Sequence, residues 1–421
     1  MSAPRPCRIW IEVGDLLQYF REHSTPAGIS RIQFEIIPRL LELFPGQISL
    51  FQIGRSSREI EVLTFDEVLR RCDNSAFLAR FGHHRTLFNI LQFASNHARA
   101  AISALRLQLN REGRARFAGE IQAGDVILNL GGSWSHQHFG RSIAELKRDF
   151  GVRFAGLIHD VLPLTHRQFV AARFAPFFDR WFDDMTRVWD LVLTPSHSTA
   201  RALREQLELR GRAVPPIRRI RFGSGFCLPQ HSLRECARTH VLYVSTIEIR
   251  KNHRLLFDIW KQMISDYGAA RVPELVFAGK FGWQIDDLKR DLQATRFLDG
   301  KIRVVENLDD AELAALYRGS YFTVYPSFCE GWGLPVGESL HFGRYCIASD
   351  ATSLPEVGAG FVDHHAPADI KAARRLIEAA LFSPGHLDAK EAAIRESYVP
   401  RSWRETAGEI MAVISDTLGE R

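Results

Sequence analysis

Two glutamates enclose a glycine-rich stretch in the second half of the chain, "FCEGWGLPVGE", in which seven residues separate Glu330 from Glu338. Pro335 lies between them and suits the first turn of a helix. Backbone amides at the start of that helix would lie at the positive end of its dipole, where a diphosphate can bind. These amides belong to Gly333, Leu334 and Val336. Because carboxylates accept hydrogen bonds from vicinal sugar hydroxyls, the stretch is suited to hold a sugar nucleotide.

A basic pair, Arg250 and Lys251, follows a predicted strand in "VLYVSTIEIRKNH". Two cations beside a diphosphate could neutralise the charge that develops when a bond to phosphate breaks. Both motifs also have a simpler interpretation. The basic pair could be a solvated turn, and Glu338 could be an ordinary charge at a helix start, which the dipole favours.

The first half of the chain offers polar residues at other strand ends. His159 and Asp160 end the apolar run "FAGLIHD", although a histidine at a strand end is often purely structural. Gly28 precedes an amphipathic helix and would permit close approach of a ligand to the backbone, or simply form a turn. The stretch "NLGGSWSHQHF" adds three candidates for contact with a second substrate: Ser133, Trp134 and His136.

Short apolar runs, each followed by turn residues and a helical pattern, indicate buried parallel strands. Ten such runs recur: "CRIWIEV", "QISLFQI", "DVILNL", "RFAGLIH", "DLVLTPS", "HVLYVST", "ELVFAG", "KIRVVEN", "FTVYPS" and "RYCIAS". The predicted fold class is therefore α/β, with a doubly wound sheet in each of two domains. Since ligands bind at the carboxyl ends of the strands in such sheets, the motifs above should share one cleft.

The stretch "GRAVPPIRRIRFGSGFCLPQ" gathers prolines, glycines and arginines after the first set of strands and predicts a crossing between domains. We assign residues 1–222 to a first Rossmann-like domain and 223–238 to a hinge. Residues 239–400 are assigned to a second Rossmann-like domain. Residues 401–421 are expected to form a helix that could pack back on the first domain.

Composition supports a globular protein of two domains, with 421 residues, a net charge of +5 and 46% apolar residues. The arginines are spread along the chain, so nucleic acid is not an expected partner. The six cysteines show no zinc spacing, and no metal site is expected. No run has the length of a secretory signal or a membrane span, so the expected location is the cytoplasm.

Two segments allow alternative interpretations. Residues 80–117 contain seven arginines and one acid, and could lie as a basic helix on anionic lipid at the inner face of the plasma membrane, or form a solvated helical face. The aromatic stretch "RFAPFFDRWFDDMTRVWDLV" could stack on sugars, but its helical spacing favours a core face. That face comprises Phe174, Phe178, Trp181, Met185, Val188 and Val192.

The motif "EGWGLPVGE" resembles the E-x7-E signature of retaining glycosyltransferases with the GT-B fold, in particular glycosyltransferase family 4. The order of "VLYVSTIEIRKNH", "ELVFAGKFGW", "VVENLDDAELAALYRGSYFTVYPS" and "DATSLPEVGAG" is similar to that family's second domain nearly throughout. The resemblance implies two Rossmann-like domains facing across a cleft, of which the first (1–222) binds the acceptor and the second (239–400) binds the sugar-nucleotide donor. It also implies retaining, metal-independent transfer of a hexose, without a cofactor, from a nucleotide sugar to a glycan or lipid-linked acceptor.

GDP-mannose is the first expectation for the donor, by similarity to bacterial polysaccharide and O-antigen mannosyltransferases, and rhamnose or fucose donors are alternatives. A sugar-nucleotide epimerase of the same shape would need further acids in the cleft for proton abstraction. A protein of another class that binds a sugar nucleotide without catalysis is the remaining alternative.

The resemblance also assigns roles to residues. The expected catalytic residues are His159, Asp160, Glu330, Arg250 and Lys251. The expected donor-binding residues are Gly28, Thr246, Arg250, Lys251, Gly331, Trp332, Gly333, Leu334 and Glu338. His159 would contact the transferred sugar, and Asp160 could bind a hydroxyl or fix the histidine tautomer. Family members often carry an arginine where this chain has Thr246, so phosphate stabilisation would rest on the basic pair and the loop amides.

Overall fold

The computed structural model describes residues 7–21, 23, 26–72, 111–225, 237–358 and 360–419. Most of the basic segment and most of the expected hinge lie outside the described residues, although residues 111–120 are helical. The prediction of membrane contact through that segment therefore stays a prediction. In the part of the chain that the structure describes, no helix combines the length and the apolar character needed to cross a membrane.

The first sheet is mostly parallel, and its central strands are buried on both faces, as expected for a sheet that helices cover on both sides. Its strands are β1 (Ile9–Glu12), β2 (Ile48–Ile53), β3 (Ile60–Leu63), β4 (Val126–Asn129), β5 (Arg153–Leu157), β6 (Leu191–Thr194) and β7 (Ile217–Arg219). Their order across the sheet is β3-β2-β1-β4-β5-β6-β7. Only the pair β2–β3 is antiparallel among these strands.

Helices connect and cover these strands. They are α1 (Gly14–Tyr19), α2 (Gly28–Leu43), α3 (Phe65–Cys72), α4 (Phe139–Phe150), α5 (Leu162–Thr165), α6 (Ala175–Met185) and α7 (His197–Leu209), with 3-10 turns at Ser133–Ser135 and Arg167–Phe169.

The second sheet repeats the same topology with parallel pairs throughout its described strands. These strands are β8 (His240–Val244), β9 (Glu274–Ala278), β10 (Ile302–Val305), β11 (Ser320–Tyr325), β12 (Cys346–Ser349) and β13 (Val362–His365). Their order is β10-β9-β8-β11-β12-β13, which is 3-2-1-4-5-6 counted within the domain, as in dinucleotide-binding sheets. The predicted fold class, two Rossmann-like doubly wound sheets, is confirmed.

The helices of the second half are α8 (His253–Tyr267), α9 (Asp286–Ala294), α10 (Asp310–Gly319), α11 (Leu334–His341), α12 (Leu354–Gly358), α13 (Ile370–Phe382), α14 (His386–Ser397) and α15 (Trp403–Leu418). Two 3-10 turns lie at Ile249–Lys251 and Ala269–Arg271. Residues 296–300 all have positive φ and form a left-handed turn rather than an α-helix.

All ten predicted strands are present, but β3, β7 and β13 were missed. Each is the last strand at one edge of its sheet, where polar residues such as Glu61, Arg218 and His364 break the apolar pattern. β7 lies inside the Pro- and Arg-rich stretch that predicted a crossing between domains. That interpretation is corrected, because part of the stretch is a sheet strand.

The aromatic stretch packs in the core of the first domain. Phe178, Trp181 and Met185 of α6 are at most 7% exposed. They belong to a buried cluster that also contains side chains from the strands of the first sheet. Val192 belongs to β6 rather than to the helix. The core interpretation favoured by the spacing is therefore the one that the structure shows.

Helix α15 packs against α2, which brings the end of the chain onto the first domain. Its apolar face, including Trp403, Ile410 and Ile414, joins the same buried cluster as Ile36 and Leu40 of α2. Ser402 caps the helix, because its hydroxyl oxygen accepts a bond from the Glu405 amide, and the Glu405 carboxylate accepts one from the Ser402 amide.

Candidate functional site

The candidate residues of the second half meet where β8 and β11 lie side by side. The chain leaves these neighbouring strands in opposite directions across the sheet, which makes the gap beyond their carboxyl ends a topological switch point. Arg250 and Lys251 follow β8, and Glu330 follows β11.

Glu330 forms ion pairs with both cations of the basic pair. Arg250 Nη1 lies 2.7 Å from Glu330 Oε2, and Lys251 Nζ lies 2.5 Å from Oε1. Burial alone would raise the pKa of Glu330, but the two cations overcome it and lower that pKa to about 2. Glu330 is therefore ionised at neutral pH, and the basic pair is not a solvated turn.

A second carboxylate, Glu248, was missed at the sequence level. It is 2% exposed, and its Oε1 accepts bonds from Nε and Nη2 of Arg250 at 3.0 and 2.8 Å. Burial favours the neutral form of Lys251 and lowers its pKa, with the nearby Arg250 acting in the same direction. The sequence "IEIRK" could have indicated this pair, because it places an acid two residues before an arginine, and a buried arginine needs a buried carboxylate.

The Glu330 backbone is fixed by the loop that follows β12. The Glu330 amide donates to Thr352 Oγ1 at 2.7 Å, and the hydroxyls of Thr352 and Ser353 donate to the Glu330 carbonyl. Arg250 Nη1 also donates to the Cys329 carbonyl at 2.8 Å. The carboxylate is thus held on a rigid loop before any ligand arrives.

The predicted amide site lies at the start of α11. Gly333 precedes the helix with φ +112°, a conformation that favours glycine, and Leu334 is the first helical residue. Val336 N instead donates to the Gly333 carbonyl, so its assignment as a ligand-binding amide is corrected. Trp332 packs edge-on against Phe222 of the first domain, with ring centroids 6.1 Å apart.

Glu338 lies one turn into α11, in a place separate from Glu330. It is 5% exposed, and its Oε2 accepts a bond from the Tyr317 hydroxyl at 2.7 Å. Arg31 Nε, from the first domain, lies 4.0 Å from Oε1. Burial raises the pKa of Glu338, and the charge of Arg31 opposes that rise. The solvated helix-start interpretation does not fit a buried carboxylate, and neither Tyr317 nor Arg31 was predicted.

His159 is buried at the carboxyl end of β5. Its Nε2 lies 2.8 Å from the Leu130 carbonyl oxygen, which can only accept, so the proton resides on Nε2. Burial lowers the His159 pKa to about 4, and the ring is neutral at physiological pH. Asp160 Oδ1 accepts from the Leu162 amide instead. The expectation that Asp160 fixes the tautomer is corrected, because Leu130 does so.

Gly331 brings the two halves of the candidate site together. A Cβ on Gly331 would overlap the His159 carbonyl oxygen and would lie 2.9 Å from Asp160 Cβ. The hydroxyls of Ser196 and Thr199, in the first domain, donate to the Gly331 carbonyl at 2.9 and 3.2 Å. The loop after β11 therefore lies directly against the strand end that carries His159 and Asp160.

Two other donor-side candidates lie at element ends. Gly28 begins α2 with φ +54°, a backbone conformation that favours glycine, and a Cβ there would meet no protein atom within 4 Å. The expected close approach of a ligand to this backbone stays a prediction. Thr246 follows β8, and its methyl group would lie 2.9 Å from a Cβ on Gly282.

The three acceptor-side candidates are used structurally in the first domain. Ser133 is 2% exposed and accepts a bond from Trp181 Nε1 at 3.2 Å, so the expectation of an accessible hydroxyl is corrected. Trp134 packs on Phe178 and Trp181, and His136 Nε2 contacts the Gly54 carbonyl.

Among the residues that the structure describes, no group of three or more His, Cys, Asp or Glu could hold a metal ion.

The architecture is that of GT-B glycosyltransferases. The structure of Anabaena Alr3699/HepE in complex with UDP and glucose superposes with a TM-score of 0.58 at 12% identity, covering 97% of this chain and 98% of that one. A UDP-forming α,α-trehalose-phosphate synthase from Burkholderia vietnamiensis gives a TM-score of 0.54 at 14% identity, covering 88% and 89%. At these identities the likeness shows the fold alone.

Sequence comparison finds relatives of the second half of the chain. Residues 238–380 match the family model described as Glycosyl transferases group 1. The O-antigen chain mannosyltransferase B of Escherichia coli is 35% identical over 184 residues, which are 43% of this chain and 42% of that protein. The serotype-specific mannosyltransferase WbdA of Escherichia coli is 24% identical over 237 residues, 51% of this chain and 28% of that protein. The family match is confined to the second domain, and the chain, which spans less than half the length of these relatives, is homologous to bacterial O-antigen mannosyltransferases.

Proposed function

We propose that the chain is a retaining, metal-independent mannosyltransferase that moves mannose from GDP-mannose to a glycan or lipid-linked acceptor in O-antigen synthesis, at the cytoplasmic face of the membrane. The observation that carries the proposal is the buried cluster of Arg250, Lys251 and Glu330, next to Gly331, whose backbone packs against the His159 carbonyl. The homology of the chain to O-antigen mannosyltransferases supports the choice of sugar.

The donor diphosphate would bind at the amides of Gly333 and Leu334, near the positive end of α11. As the bond between the sugar and the phosphate breaks, Arg250 and Lys251 stabilise the charge on the departing oxygen. Glu330 would then orient the sugar hydroxyls, and Glu338 the ribose. Glu330 pairs with both cations and keeps them in place, so little reorganisation is required when the donor binds.

Attack from the same face as the leaving group fits these residues best. In that step the acceptor hydroxyl attacks the anomeric carbon, the bond to phosphate breaks, and the departing phosphate oxygen takes the acceptor proton. His159 is neutral, with its Nε2 proton donated to Leu130, so Nδ1 retains a lone pair that could accept a bond from a sugar hydroxyl. Asp160 is left to bind a hydroxyl.

A labelled-donor assay tests the function. The protein would be incubated with GDP-mannose, GDP-fucose or dTDP-rhamnose and an O-antigen fragment, with Glu330→Gln as the inactive control. We expect mannosyl transfer or slow hydrolysis, an unchanged rate in EDTA, and an α-linked product by NMR. Transfer of rhamnose or fucose would contradict mannose as the donor sugar. A changed sugar on the nucleotide would indicate an epimerase, and binding without turnover would contradict an enzymatic role.

A thermal-shift screen of GDP, UDP, ADP and dTDP would identify the nucleotide base that the donor site prefers. A ligand that binds only the folded protein raises its stability by mass action, so GDP should give the largest increase in unfolding temperature.

A further inference from the structure

An arginine of the first domain lies beside the carboxylate assigned to the nucleotide ribose. Arg31 is in the first turn of α2, and its side chain is 8% exposed. Its Nη1 and Nη2 lie 3.0 and 3.4 Å from the two carboxylate oxygens of Asp310, while its Nε lies 4.0 Å from Glu338 Oε1. Asp310 and Glu338 belong to the second domain, so one guanidinium links both sides of the cleft.

We infer that Arg31 is a positioning residue for the donor: across the closed cleft, it keeps the Glu338 carboxylate charged and oriented to accept the hydroxyls of the nucleotide ribose. This inference rests on the proposed function, because it concerns the donor site of the same reaction.

The geometry separates this role from a direct hydrogen bond between Arg31 and Glu338. At 4.0 Å, the contact between Arg31 Nε and Glu338 Oε1 is too long for a hydrogen bond, and Asp310 already takes the other two guanidinium nitrogens. Tyr317 occupies Oε2. Arg31 therefore acts on Glu338 through its charge and leaves Oε1 as an acceptor for a ligand hydroxyl.

The surroundings of Glu338 make that charge necessary. Burial favours its neutral form, and among the charged groups that act on it, Asp310 at the start of α10 favours the neutral form as well. Tyr317, also on α10, donates a hydrogen bond, and Arg31 on α2 supplies the positive charge. Glu35 faces Arg31 from the next turn of α2. A protonated Glu338 would lose much of its ability to accept two ribose hydroxyls.

The consequence is a coupling between closure and nucleotide binding. Opening the cleft would move Arg31 away from Glu338 and weaken the ribose site. By reciprocity, a bound nucleotide that needs the Glu338 carboxylate favours the closed arrangement. The residue that senses closure thus lies on the first domain, outside the E-x7-E motif.

Calorimetric titration of GDP between pH 5.5 and 8.0 tests the inference, with UDP as the probe should GDP fail to bind. Arg31→Gln should weaken GDP binding about tenfold at pH 7, and the loss should grow as the pH falls because Glu338 becomes protonated more readily. Arg31→Lys keeps the charge and should retain most of the wild-type pH profile. Arg39→Gln is the matched control, since Arg39 lies two turns along α2 and pairs with Glu35.

A double-mutant cycle assigns the effect to Glu338. In a Glu338→Gln background, Arg31→Gln should produce no further pH dependence. An Arg31→Gln variant that binds GDP within twofold of wild type at every pH overturns the inference. A uniform, pH-independent weakening overturns it as well, since that result indicates only a structural role. If the wild-type protein binds neither GDP nor UDP, the proposed function itself fails.

Discussion

The backbone of Gly331 lies so close to the carbonyl oxygen of His159 that even a methyl group on Gly331 would overlap it. Gly331 follows Glu330 in the second domain, and His159 ends a strand of the first. The pair therefore defines the point where the two halves of the proposed site touch, and it explains why the residue after Glu330 is a glycine.

Replacing Gly331 by alanine should prevent this contact without disturbing either core. We expect Gly331→Ala to lower kcat/KM for glycosyl transfer at least tenfold, because a displacement of about 1 Å in the reacting groups has effects of that size. Gly408→Ala is the control, since a Cβ there would meet nothing within 4 Å and alanine favours the helix. Wild-type turnover in Gly331→Ala would show that catalysis does not require the closed contact.

Removing the Lys251 ammonium should mainly affect the leaving group. Lys251→Ala leaves Glu330 paired with Arg250, so the loop should keep its position. The loss of transition-state stabilisation should be about 2–4 kcal/mol, measured as a fall in kcat under single-turnover conditions. Lys261→Ala, on the exposed side of α8, should behave like wild type. A fall in kcat below tenfold would place Lys251 outside the reaction centre.

The apolar runs were sufficient to predict ten strands of the two sheets. The motifs around Glu330 and Arg250 could be placed at strand ends because each directly follows an apolar run. Arg31 and Tyr317 could not be predicted in this way. Arg31 is 307 positions away from Glu338 in the sequence, and only the packing of the two domains brings them together. Tyr317 has the pattern of an ordinary core aromatic, and its hydroxyl acquires a role only through the orientation of α11.

Two errors had local physical causes. Ser133 was a candidate for contact with the acceptor, but the indole N–H of Trp181 needs a buried acceptor, which Ser133 provides. One of the two roles expected of Asp160 was to fix the tautomer of His159, yet adjacent side chains near a strand end point in different directions. The Leu130 carbonyl of the neighbouring strand end lies closer to the ring.

The neutral state of His159 can be tested by NMR. Because burial lowers its pKa to about 4, the His159 ring signals should not change between pH 5.5 and 8. The unfolded chain binds a proton near the ordinary value of 6.5, so this group makes folding less favourable as the pH falls from 6.5 towards 4. His159→Asn assigns the resonance and should remove that part of the pH dependence. A His159 signal with a midpoint near 6.5 would contradict the buried, carbonyl-bonded geometry.

A carboxyl group of the first sheet should make the stability of the protein fall with rising pH. Glu12 is 3% exposed, and its Oε1 accepts bonds from the amides of Gly14 and Ile53. Burial, and then the charge of Asp15, raise its pKa to about 8. The unfolded chain loses the proton near pH 4.5, whereas the folded protein keeps it up to about pH 8, so the free energy of unfolding decreases across that range.

Glu12→Gln keeps an oxygen for both amides and cannot ionise. Urea unfolding between pH 5.5 and 8.5 should show that the wild type loses on the order of 1–4 kcal/mol more stability than this variant over the range. Glu61→Gln, on the exposed side of edge strand β3, should follow the wild-type slope. Parallel slopes for Glu12→Gln and wild type would mean that Glu12 is already ionised in the folded protein, and that water or a cation reaches the end of β1.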